Sequence, residues 1–353
     1  MHIVDYVVKV GFGTPATYVS LVMDTGSDLA WTQCKPCSRS QCYKQAEPIY
    51  NYTNSKSYSN ILCKSPLCKN STVNFLCAQN KVCIYQVLYA DQTFSSGFFS
   101  KEKLTLSPSK VIKNFQFGCG QSNMFAGDVR VAGILGLGRG ITSIVSQTAF
   151  EYNKVFSYCL PSSINTVGYL TFGKTDKVPP NTRFTPILTK PNWRIQFYFV
   201  QLVAVGVGGK KLTIDSGVFS KGTTIIDSGT TLTSLFPKVY AALGTAFQKA
   251  MSKHKYPKTQ SYSLQLDTCY DLSKNKTVIL PKISLLFKSG AELNVDPSGI
   301  LVSPGNRKSQ MCLAFVDSRN SNLGIIGSTQ QKTHTVTYDV VGKRLGLTPG
   351  GCN

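Results

Sequence analysis

Short runs of β-branched and aromatic residues, separated by Gly, Pro, Asn and Ser, dominate the distribution of apolar positions along the chain. Runs of this length and composition are typical of antiparallel strands. The pattern therefore predicts an all-β protein with a few short helices. Strands are expected, among other places, over Ile3–Val10, Tyr18–Met23, Val82–Tyr89, Phe197–Val205 and Thr333–Asp339.

Helical spacing of apolar residues is confined to two segments. From Pro237 an apolar stripe continues through Leu243 to Met251, which predicts an amphipathic helix with a proline in its first turn. Ile141–Phe150 is a second, weaker helical pattern. No window contains 18 uninterrupted apolar residues, so no membrane-spanning helix is predicted.

Two short segments are near copies of each other, one in each half of the chain. Val22–Ser27 has the sequence VMDTGS, and Ile225–Thr230 has the sequence IIDSGT. Each places an Asp after an apolar run and a Gly between two hydroxyl residues. A single copy is most simply explained as a β-turn.

The duplication extends beyond these segments. An apolar strand pattern precedes each Asp, and Gly133–Gly136 (GILG) and Gly324–Gly327 (GIIG) follow at similar distances. A repeat of three ordered elements favours an enzyme in which each half supplies one carboxylate, Asp24 or Asp227, to a shared site. Two carboxylates held together share a proton at acidic pH, and such a pair can activate a water and protonate a leaving group.

These motifs carry a family resemblance that covers nearly the whole chain. The sequence resembles the pepsin-like aspartic peptidases, in particular the plant nepenthesin-like branch. Within that branch it is most similar to the chloroplast nucleoid DNA-binding aspartic proteases. The residues that carry the resemblance are Asp24–Trp31, Asp227–Thr233, the two Gly-Ile segments, the twelve cysteines, and Phe117–Gln121, Phe156–Pro161, Leu266–Asp271 and Pro349–Cys352.

The resemblance implies a bilobal pepsin-like acid protease fold, with two pseudo-twofold related β-barrel lobes and a central cleft. A stretch rich in Lys, Pro, Thr and Asn at Lys174–Asn192 separates the two repeat units. We therefore expect an N-terminal lobe over 1–175, with the first catalytic Asp, the flap and a Cys-rich insertion. The C-terminal lobe over 176–353 would carry the second catalytic Asp.

The resemblance also implies roles for the residues beside the two aspartates. The first hydroxyl residue after each Asp would bond across the lobes, and the second would donate to the carboxylate. The glycine between them would allow close approach of the backbones. The dyad-supporting residues are Thr25, Gly26, Ser27, Ser228, Gly229 and Thr230.

A hairpin over residues 82–106 is the expected substrate-binding flap. In the family its tyrosine, here Tyr89, bonds to a tryptophan that matches Trp31, and Asp91 lies at the tip; Tyr89 could also be an ordinary strand aromatic. The tip departs from the family, because alanine and glutamine replace its two usual glycines. We expect this change to stiffen or reshape the flap, and hence to lower turnover.

Twelve cysteines, an even number, indicate an oxidising compartment and a set of disulfides. Cys34-Lys-Pro-Cys37 could be mistaken for a zinc site, but none of the three histidines lies near it, and neither a metal nor a cofactor is expected. The sequence alone does not fix the connectivity. The pairs implied by the resemblance are Cys34–Cys37, Cys42–Cys119, Cys63–Cys83, Cys68–Cys77, Cys159–Cys352 and Cys269–Cys312.

The chain is strongly basic, with 38 Lys and Arg against 17 Asp and Glu, a formal net charge of +21. The basic residues are scattered along the sequence. Two interpretations stay open: solubility in an acidic compartment, or non-specific binding of DNA or another polyanion. No motif for sequence-specific recognition of nucleic acid is present.

Cysteine content and three Asn-x-Ser/Thr sequons favour a glycoprotein of the secretory pathway or the extracellular space, in the apoplast or the vacuole. The chloroplast is the alternative, by resemblance. We expect a monomeric aspartic endopeptidase that acts on polypeptides at acidic pH. The alternative is a catalytically weak or inactive binding protein of the same fold, inhibitor-like or polyanion-binding, although both Asp motifs are intact. The sequons are at Asn51, Asn70 and Asn275.

Overall fold

The computed structural model describes residues 6–38, 40–69, 73–127, 130–163, 165–174, 178–191, 195–260, 266–304, 310–320 and 322–352. These residues form two compact units: 6–153 with 195–197, and 154–191 with 198–352. The predicted strand residues 3–5, the Asn70 sequon and the boundary residues 175–177 and 192 lie outside the described part of the chain. The division into lobes 1–175 and 176–353, and their pseudo-twofold arrangement about a cleft, stay predictions.

The first unit is built from strands and two one-turn helices, with single 3-10 turns at Tyr52–Asn54 and Pro66–Cys68. The strands are β1 Val7–Phe12, β2 Thr17–Asp24, β3 Trp31–Gln33, β4 Ser59–Asn60, β5 Asn74–Cys77, β6 Cys83–Leu88, β7 Phe94–Ser107, β8 Lys110–Met124 and β9 Gly133–Gly136. The helices are α1 Ile144–Gln147 and α2 Ala149–Tyr152.

These strands form a single sheet in the order β1-β2-β9-β3-β8-β7-β6-β5, with β4 beside β7. Because β1 also pairs with β7, the strands from β1 to β7 in this order close into a ring. Most pairs are antiparallel, but β2 pairs in parallel with β9, and β3 with β8. Trp31, Tyr85 and Phe99 are completely buried in the core of this unit.

The second unit contains the remaining strands and helices, with 3-10 turns at Ser252–His254, Lys288–Gly290 and Pro297–Gly299. Its strands are β10 Val155–Cys159, β11 Tyr169–Phe172, β12 Arg183–Pro186, β13 Phe199–Val200, β14 Leu202–Val207, β15 Lys210–Lys211, β16 Thr223–Ile226, β17 Thr233–Leu235, β18 Lys258–Thr259, β19 Cys269–Asp271, β20 Ile283–Phe287, β21 Glu292–Asn294, β22 Leu301–Val302, β23 Gln310–Leu313, β24 Phe315–Asp317, β25 Leu323–Ile326, β26 His334–Asp339 and β27 Arg344–Pro349. Its helices are α3 Ser216–Lys221, α4 Pro237–Met251 and α5 Ser328–Gln331.

Four sheets make up this unit: β11-β10-β26-β27-β12, β13-β16-β25-β17-β24, β15-β14-β20-β21 and β18-β19-β23-β22. The second of these contains a parallel pair, β16 with β25, which reproduces the pairing of β2 with β9 in the first unit. The predicted all-β class is confirmed, since the described helices are few and, apart from α4, no longer than six residues.

The predicted helix from Pro237 to Met251 is present as α4. It buries Val239, Leu243 and Phe247 along one face, and each such side chain stabilises the fold by about 1.5–3 kcal/mol. The prediction of one continuous helix over Ile141–Phe150 is wrong. It is broken at Thr148, which ends α1 and begins α2. Within the described ranges, no helix combines the length and apolarity needed to span a bilayer.

All twelve cysteines lie within the described residues and form six disulfides, so the preference for disulfides over zinc is confirmed. Four predicted pairings are wrong. The predicted Cys34–Cys37 and Cys42–Cys119 are replaced by Cys34–Cys119 and Cys37–Cys42. The parallel pairing of β3 with β8 causes this exchange, because the Cys34 amide donates to Gly120 O and the Cα atoms of Cys34 and Cys119 lie 5.3 Å apart.

The predicted Cys63–Cys83 and Cys68–Cys77 are replaced by Cys63–Cys77 and Cys68–Cys83. Cys83 is completely buried in the core of the first unit, and Cys68 packs against that core, whereas Cys77 is exposed. The half-buried Cys68 pairs with the buried Cys83, and the half-buried Cys63 pairs with the exposed Cys77. The structure contains the other two predicted pairs, Cys159–Cys352 and Cys269–Cys312.

We expect His334, the first residue of β26, to make the second unit less stable in acid. Only 3% of the residue is exposed, and burial lowers the pKa of its ring, an effect opposed in part by a hydrogen bond with Lys332 O and by the nearby Asp296. Its Nε2 is buried, with no hydrogen-bond partner in the described part of the chain.

The fold thus favours the neutral ring, and the stabilisation is complete only above the unfolded pKa of about 6.5. It is lost as the pH falls through and below that value. We expect His334→Gln to lose less unfolding free energy than the wild type between pH 7.5 and pH 4.5, as measured by urea denaturation. The matched variant at the exposed His254, His254→Gln, should keep the wild-type dependence; equal slopes for both variants would contradict the assignment.

Candidate active site

In the first unit, Asp24 is the last residue of β2, where the parallel partner β9 also ends. Only 6% of the residue is exposed. The amide of Gly26 donates to Asp24 Oδ1 at 2.8 Å, and the Ser27 hydroxyl donates to Asp24 Oδ2. The two carboxylate oxygens are therefore held separately by the turn that follows the strand.

The second unit repeats this arrangement around Asp227. The residue follows β16, whose parallel partner is β25, and is 7% exposed. The amide of Gly229 donates to Asp227 Oδ1 at 2.9 Å, and the Thr230 hydroxyl donates to Oδ2 at 2.7 Å. The sequence duplication thus corresponds to a duplication of carboxylate geometry, with Gly and the second hydroxyl residue as donors in both units.

Thr25 and Ser228, the first hydroxyl residues of the two segments, are buried. Their predicted bonds across the lobes stay a prediction. The glycines of the Gly133–Gly136 segment have a structural reason, because a Cβ on Gly136 would lie 2.2 Å from Asp28 O. This close approach lets the segment pack directly against the turn after Asp24.

The predicted flap is the antiparallel hairpin of β6 and β7, which pairs Leu88 with Phe94. The Tyr89 amide donates to Thr93 O at 2.8 Å and closes the tip. Trp31 Nε1 donates to the Tyr89 hydroxyl at 3.0 Å, the contact expected between these two residues. The Ser27 side chain, which supports Asp24, acts on the Tyr89 phenol by lowering its pKa, although burial outweighs this effect.

Burial, together with the nearby Asp24 carboxyl, raises the pKa of Tyr89 well above its usual value. The phenol therefore keeps its proton at any pH at which a protein of this kind would work. Asp91 caps the tip: its carboxylate accepts both the amide and the hydroxyl of Thr93, each at 2.9 Å. Substrate contact by Tyr89, Trp31 and Asp91 stays a prediction.

The tip glutamine adopts a conformation that usually requires glycine. Gln92 has φ of +76°, in the left-handed region, which costs a branched residue about 1–2 kcal/mol. We expect Gln92→Gly to keep the closed tip, and Gln92→Val to raise amide exchange over residues 89–93 by about 5- to 30-fold. Hydrogen exchange of the hairpin peptide measures both; equal exchange in the two variants would show that this backbone angle does not limit the tip.

Sequence reasoning missed three buried polar residues, of which Gln331 donates to the backbone carbonyl of Asp227. Asp28 is buried, and its Oδ1 accepts the amide of Gly140 at 2.8 Å. Gln330 and Gln331 are completely buried, and both use their side-chain amides to bind backbone carbonyls of the second unit. The pattern of apolar positions gave no indication of these roles, because buried polar side chains are identified by their partners in space.

Two family descriptions match the chain: Xylanase inhibitor N-terminal over residues 6–174, and Xylanase inhibitor C-terminal over residues 197–349. An aspartyl protease family protein of Arabidopsis thaliana is 48% identical, over 99% of this chain and 73% of its own length. Aspartyl protease AED1 of the same species is 44% identical over 99% and 72%. Aspartic proteinase nepenthesin-2 of Nepenthes gracilis is 34% identical over 99% and 78%.

Solved structures share the fold. The crystal structure of edgp matches with a TM-score of 0.80 at 19% identity, over 98% of this chain and 92% of that chain. Basic 7S globulin from soybean matches with a TM-score of 0.73 at 19% identity, over the same fractions. At this identity the likeness establishes the fold alone, which is pepsin-like. Because the plant aspartic proteases named above match 99% of this chain and 72–78% of their own length, the chain belongs to the plant family of pepsin-like aspartic proteases.

Proposed function

We propose that the protein is an aspartic endopeptidase that hydrolyses peptide bonds at acidic pH with Asp24 and Asp227 as its catalytic pair. The observation that carries the proposal is the identical support of the two carboxylates, each by a glycine amide and a hydroxyl two and three residues further on. The membership of the chain in a family whose relatives are named aspartic proteases supports it.

In the proposed reaction the two carboxyl groups share one proton and hold a water between them. The water oxygen attacks the scissile carbonyl carbon while the ionised Asp takes a proton from the water. At the same time, the protonated Asp gives its proton to the carbonyl oxygen. The resulting gem-diol then collapses: its C–N bond breaks, the amine nitrogen takes up a proton, and the acid and amine products leave. No covalent enzyme intermediate forms.

The surrounding residues would then position the charges and the substrate. Ser27 and Thr230 orient the carboxylates, so that one water can form hydrogen bonds with both carboxyl groups. The hairpin with Tyr89 would close over an extended polypeptide, which the sheet-rich fold can bind by main-chain hydrogen bonds. The contact of Tyr89 with Trp31 supports this role, because it holds the phenol on the side of the hairpin that is linked to Asp24.

The direct test is hydrolysis of an internally quenched peptide with apolar residues on both sides of the scissile bond, between pH 3 and pH 5. We expect cleavage that pepstatin abolishes and that is lost at neutral pH. Cleavage that persists with pepstatin, or no cleavage of several such peptides by the folded protein, would contradict the proposal.

A second candidate is a catalytically silent binding protein, which the description of the matching family as xylanase inhibitor favours. In that case the same assay would show no turnover, and the protein would bind a protein partner instead. The intact carboxylate supports in both units argue for the enzyme.

The excess of positive charge supports a further proposal of non-specific polyanion or DNA binding. Lys101 and Lys103 of β7 are half-buried and Lys113 of β8 is exposed, whereas the Glu102 carboxylate is buried and accepts from Tyr50 and Ser57. Binding to duplex DNA that does not weaken between low and moderate salt would contradict an electrostatic mode. The link to chloroplast nucleoid proteases stays a prediction.

The six disulfides of the described residues are compatible with a secretory or extracellular location. We propose the apoplast or the vacuole, with the chloroplast as the alternative, and a monomer as the working form. Of the sequons, Asn275 is exposed, and Asn51 accepts from the Thr53 hydroxyl at 2.9 Å in a 3-10 turn. Glycosylation at either asparagine stays a prediction.

A further inference from the structure

The two aspartates differ in how their backbone carbonyls are held. In the first unit, Asp24 O accepts the backbone amide of Leu137 at 2.8 Å, just after β9. In the second unit the chain enters α5 directly after Gly327, and the first amides of that helix bind elsewhere. The donors are Ser328 N to Thr230 O at 2.7 Å and Thr329 N to Thr231 O at 3.0 Å.

A side chain takes the place of the missing backbone donor. Gln331 Nε2 donates to Asp227 O at 3.1 Å and to Ile326 O at 2.9 Å. Ile326 ends β25, and Asp227 immediately follows β16, its parallel partner. One amide group therefore joins the carboxyl ends of the two strands at the point where the carboxylate leaves the sheet.

The orientation of this amide is set from its other end. The Tyr158 hydroxyl donates to Gln331 Oε1 and lies 3.1 Å from the Tyr338 hydroxyl. Burial, with smaller effects of Tyr338 and Asp227, raises the pKa of Tyr158 well above its usual value. The phenol is therefore a proton donor at every relevant pH, which directs the NH₂ group of Gln331 towards the two carbonyls.

We propose that Gln331, oriented by Tyr158, is a positioning residue that fixes Asp227 for catalysis. The inference rests on the proposed peptidase function. Without the amide, the Asp227 carbonyl loses this donor, and the Ile326 carbonyl keeps only the backbone amide of Asp227. We expect the turn that carries the Asp227 carboxylate to be less firmly held. A loss of this kind acts on the reaction barrier, since the residue contacts no substrate.

The adjacent Gln330 provides a matched control. It is equally buried, and makes as many hydrogen bonds, from Nε2 to Gly299 O at 2.7 Å and Ala314 O at 2.9 Å, and from Thr233 N to Oε1 at 3.0 Å. None of these partners is Asp227. Replacing either glutamine by methionine removes the hydrogen bonds and nearly preserves the volume, so that both variants should lose similar stability.

The test compares Gln331→Met, Gln330→Met and Tyr158→Phe with the wild type in the quenched-peptide assay. We expect kcat to fall about 10- to 100-fold in Gln331→Met with KM changed less than about twofold. Tyr158→Phe should show a smaller loss of the same kind, and Gln330→Met should keep kcat. A wild-type kcat in Gln331→Met, or equal losses of kcat in both glutamine variants, would overturn the inference. If Gln331→Met does not fold, the kcat of Tyr158→Phe provides the test, and a wild-type kcat in that variant would overturn the inference.

Hydrogen exchange separates this inference from the proposed function. In Gln331→Met the peptide over residues 226–231 should exchange faster than in Gln330→Met, whether or not the protein cleaves peptides. If the wild type is inactive but this difference is present, the peptidase proposal fails and the positioning of Asp227 by Gln331 stands. If exchange over 226–231 is the same in both variants, the positioning inference fails.

Discussion

Asp24→Asn and Asp227→Asn should each reduce kcat by at least about 10³-fold, while KM changes little. An asparagine keeps the size of the side chain and accepts one of the two hydrogen bonds, but can neither take a proton from water nor pass one to the carbonyl oxygen. General acid-base catalysis of this kind contributes about 10²- to 10⁴-fold, and here one group serves both steps. A factor of 10³ corresponds to about 4 kcal/mol of the barrier.

The measurement is single-turnover cleavage of the quenched peptide at the pH optimum of the wild type. Asp215→Asn is the control: Asp215 caps α3 at the surface of the second unit, where asparagine serves equally well. If either active-site variant keeps more than about a tenth of the wild-type kcat, the aspartate replaced in that variant is not a catalytic residue. A binding protein without turnover would instead show identical ligand affinity in all three variants.

Loss of the Cys159–Cys352 disulfide should lower the free energy of unfolding by about 2–5 kcal/mol. This bond joins β10 to the last described residue, across a sequence separation of 193. A disulfide that closes a long loop removes much of the conformational entropy of the unfolded chain. Loss of the bond restores that entropy and therefore favours unfolding. The variant is the double substitution Cys159→Ser and Cys352→Ser, and urea denaturation gives the change.

The Cys37–Cys42 bond is the matched control, with a sequence separation of only 5. The double substitution Cys37→Ser and Cys42→Ser should cost less, because a short loop restricts the unfolded chain less. If the two double variants lose the same free energy, chain entropy does not explain the stabilisation by Cys159–Cys352.

The elements that could be predicted from sequence are those determined by local pattern or by duplication. The apolar stripe from Pro237 to Met251 predicted α4 correctly. The proline lies in the first turn, and the apolar residues at helical spacing are those that the helix buries. The two Asp segments could be found because a repeat is visible without coordinates. The donors to each carboxylate could also be predicted, since they come from the same short segment: Gly26 and Ser27 donate to Asp24 from two and three positions further along the chain.

The features that could not be predicted depend on contacts between distant parts of the chain. Cysteine pairing followed from the register of β3 on β8 and from the burial of Cys83, neither of which a spacing of sulfurs can specify. No sequence pattern indicated a role for Gln331. Its partners, Asp227 and Tyr158, lie 104 and 173 positions away along the chain.

The unequal anchoring of the two aspartate carbonyls has a consequence for laboratory evolution. Every amino acid except proline offers a main-chain donor, so a saturation library at Leu137 should retain this anchor in nearly all members, whatever their packing. At Gln331 the anchor is a particular side chain, and nearly every member would lose it. Selection for new specificity can therefore change position 137 without losing the main-chain anchor of Asp24, whereas position 331 has to stay glutamine to keep the anchor of Asp227.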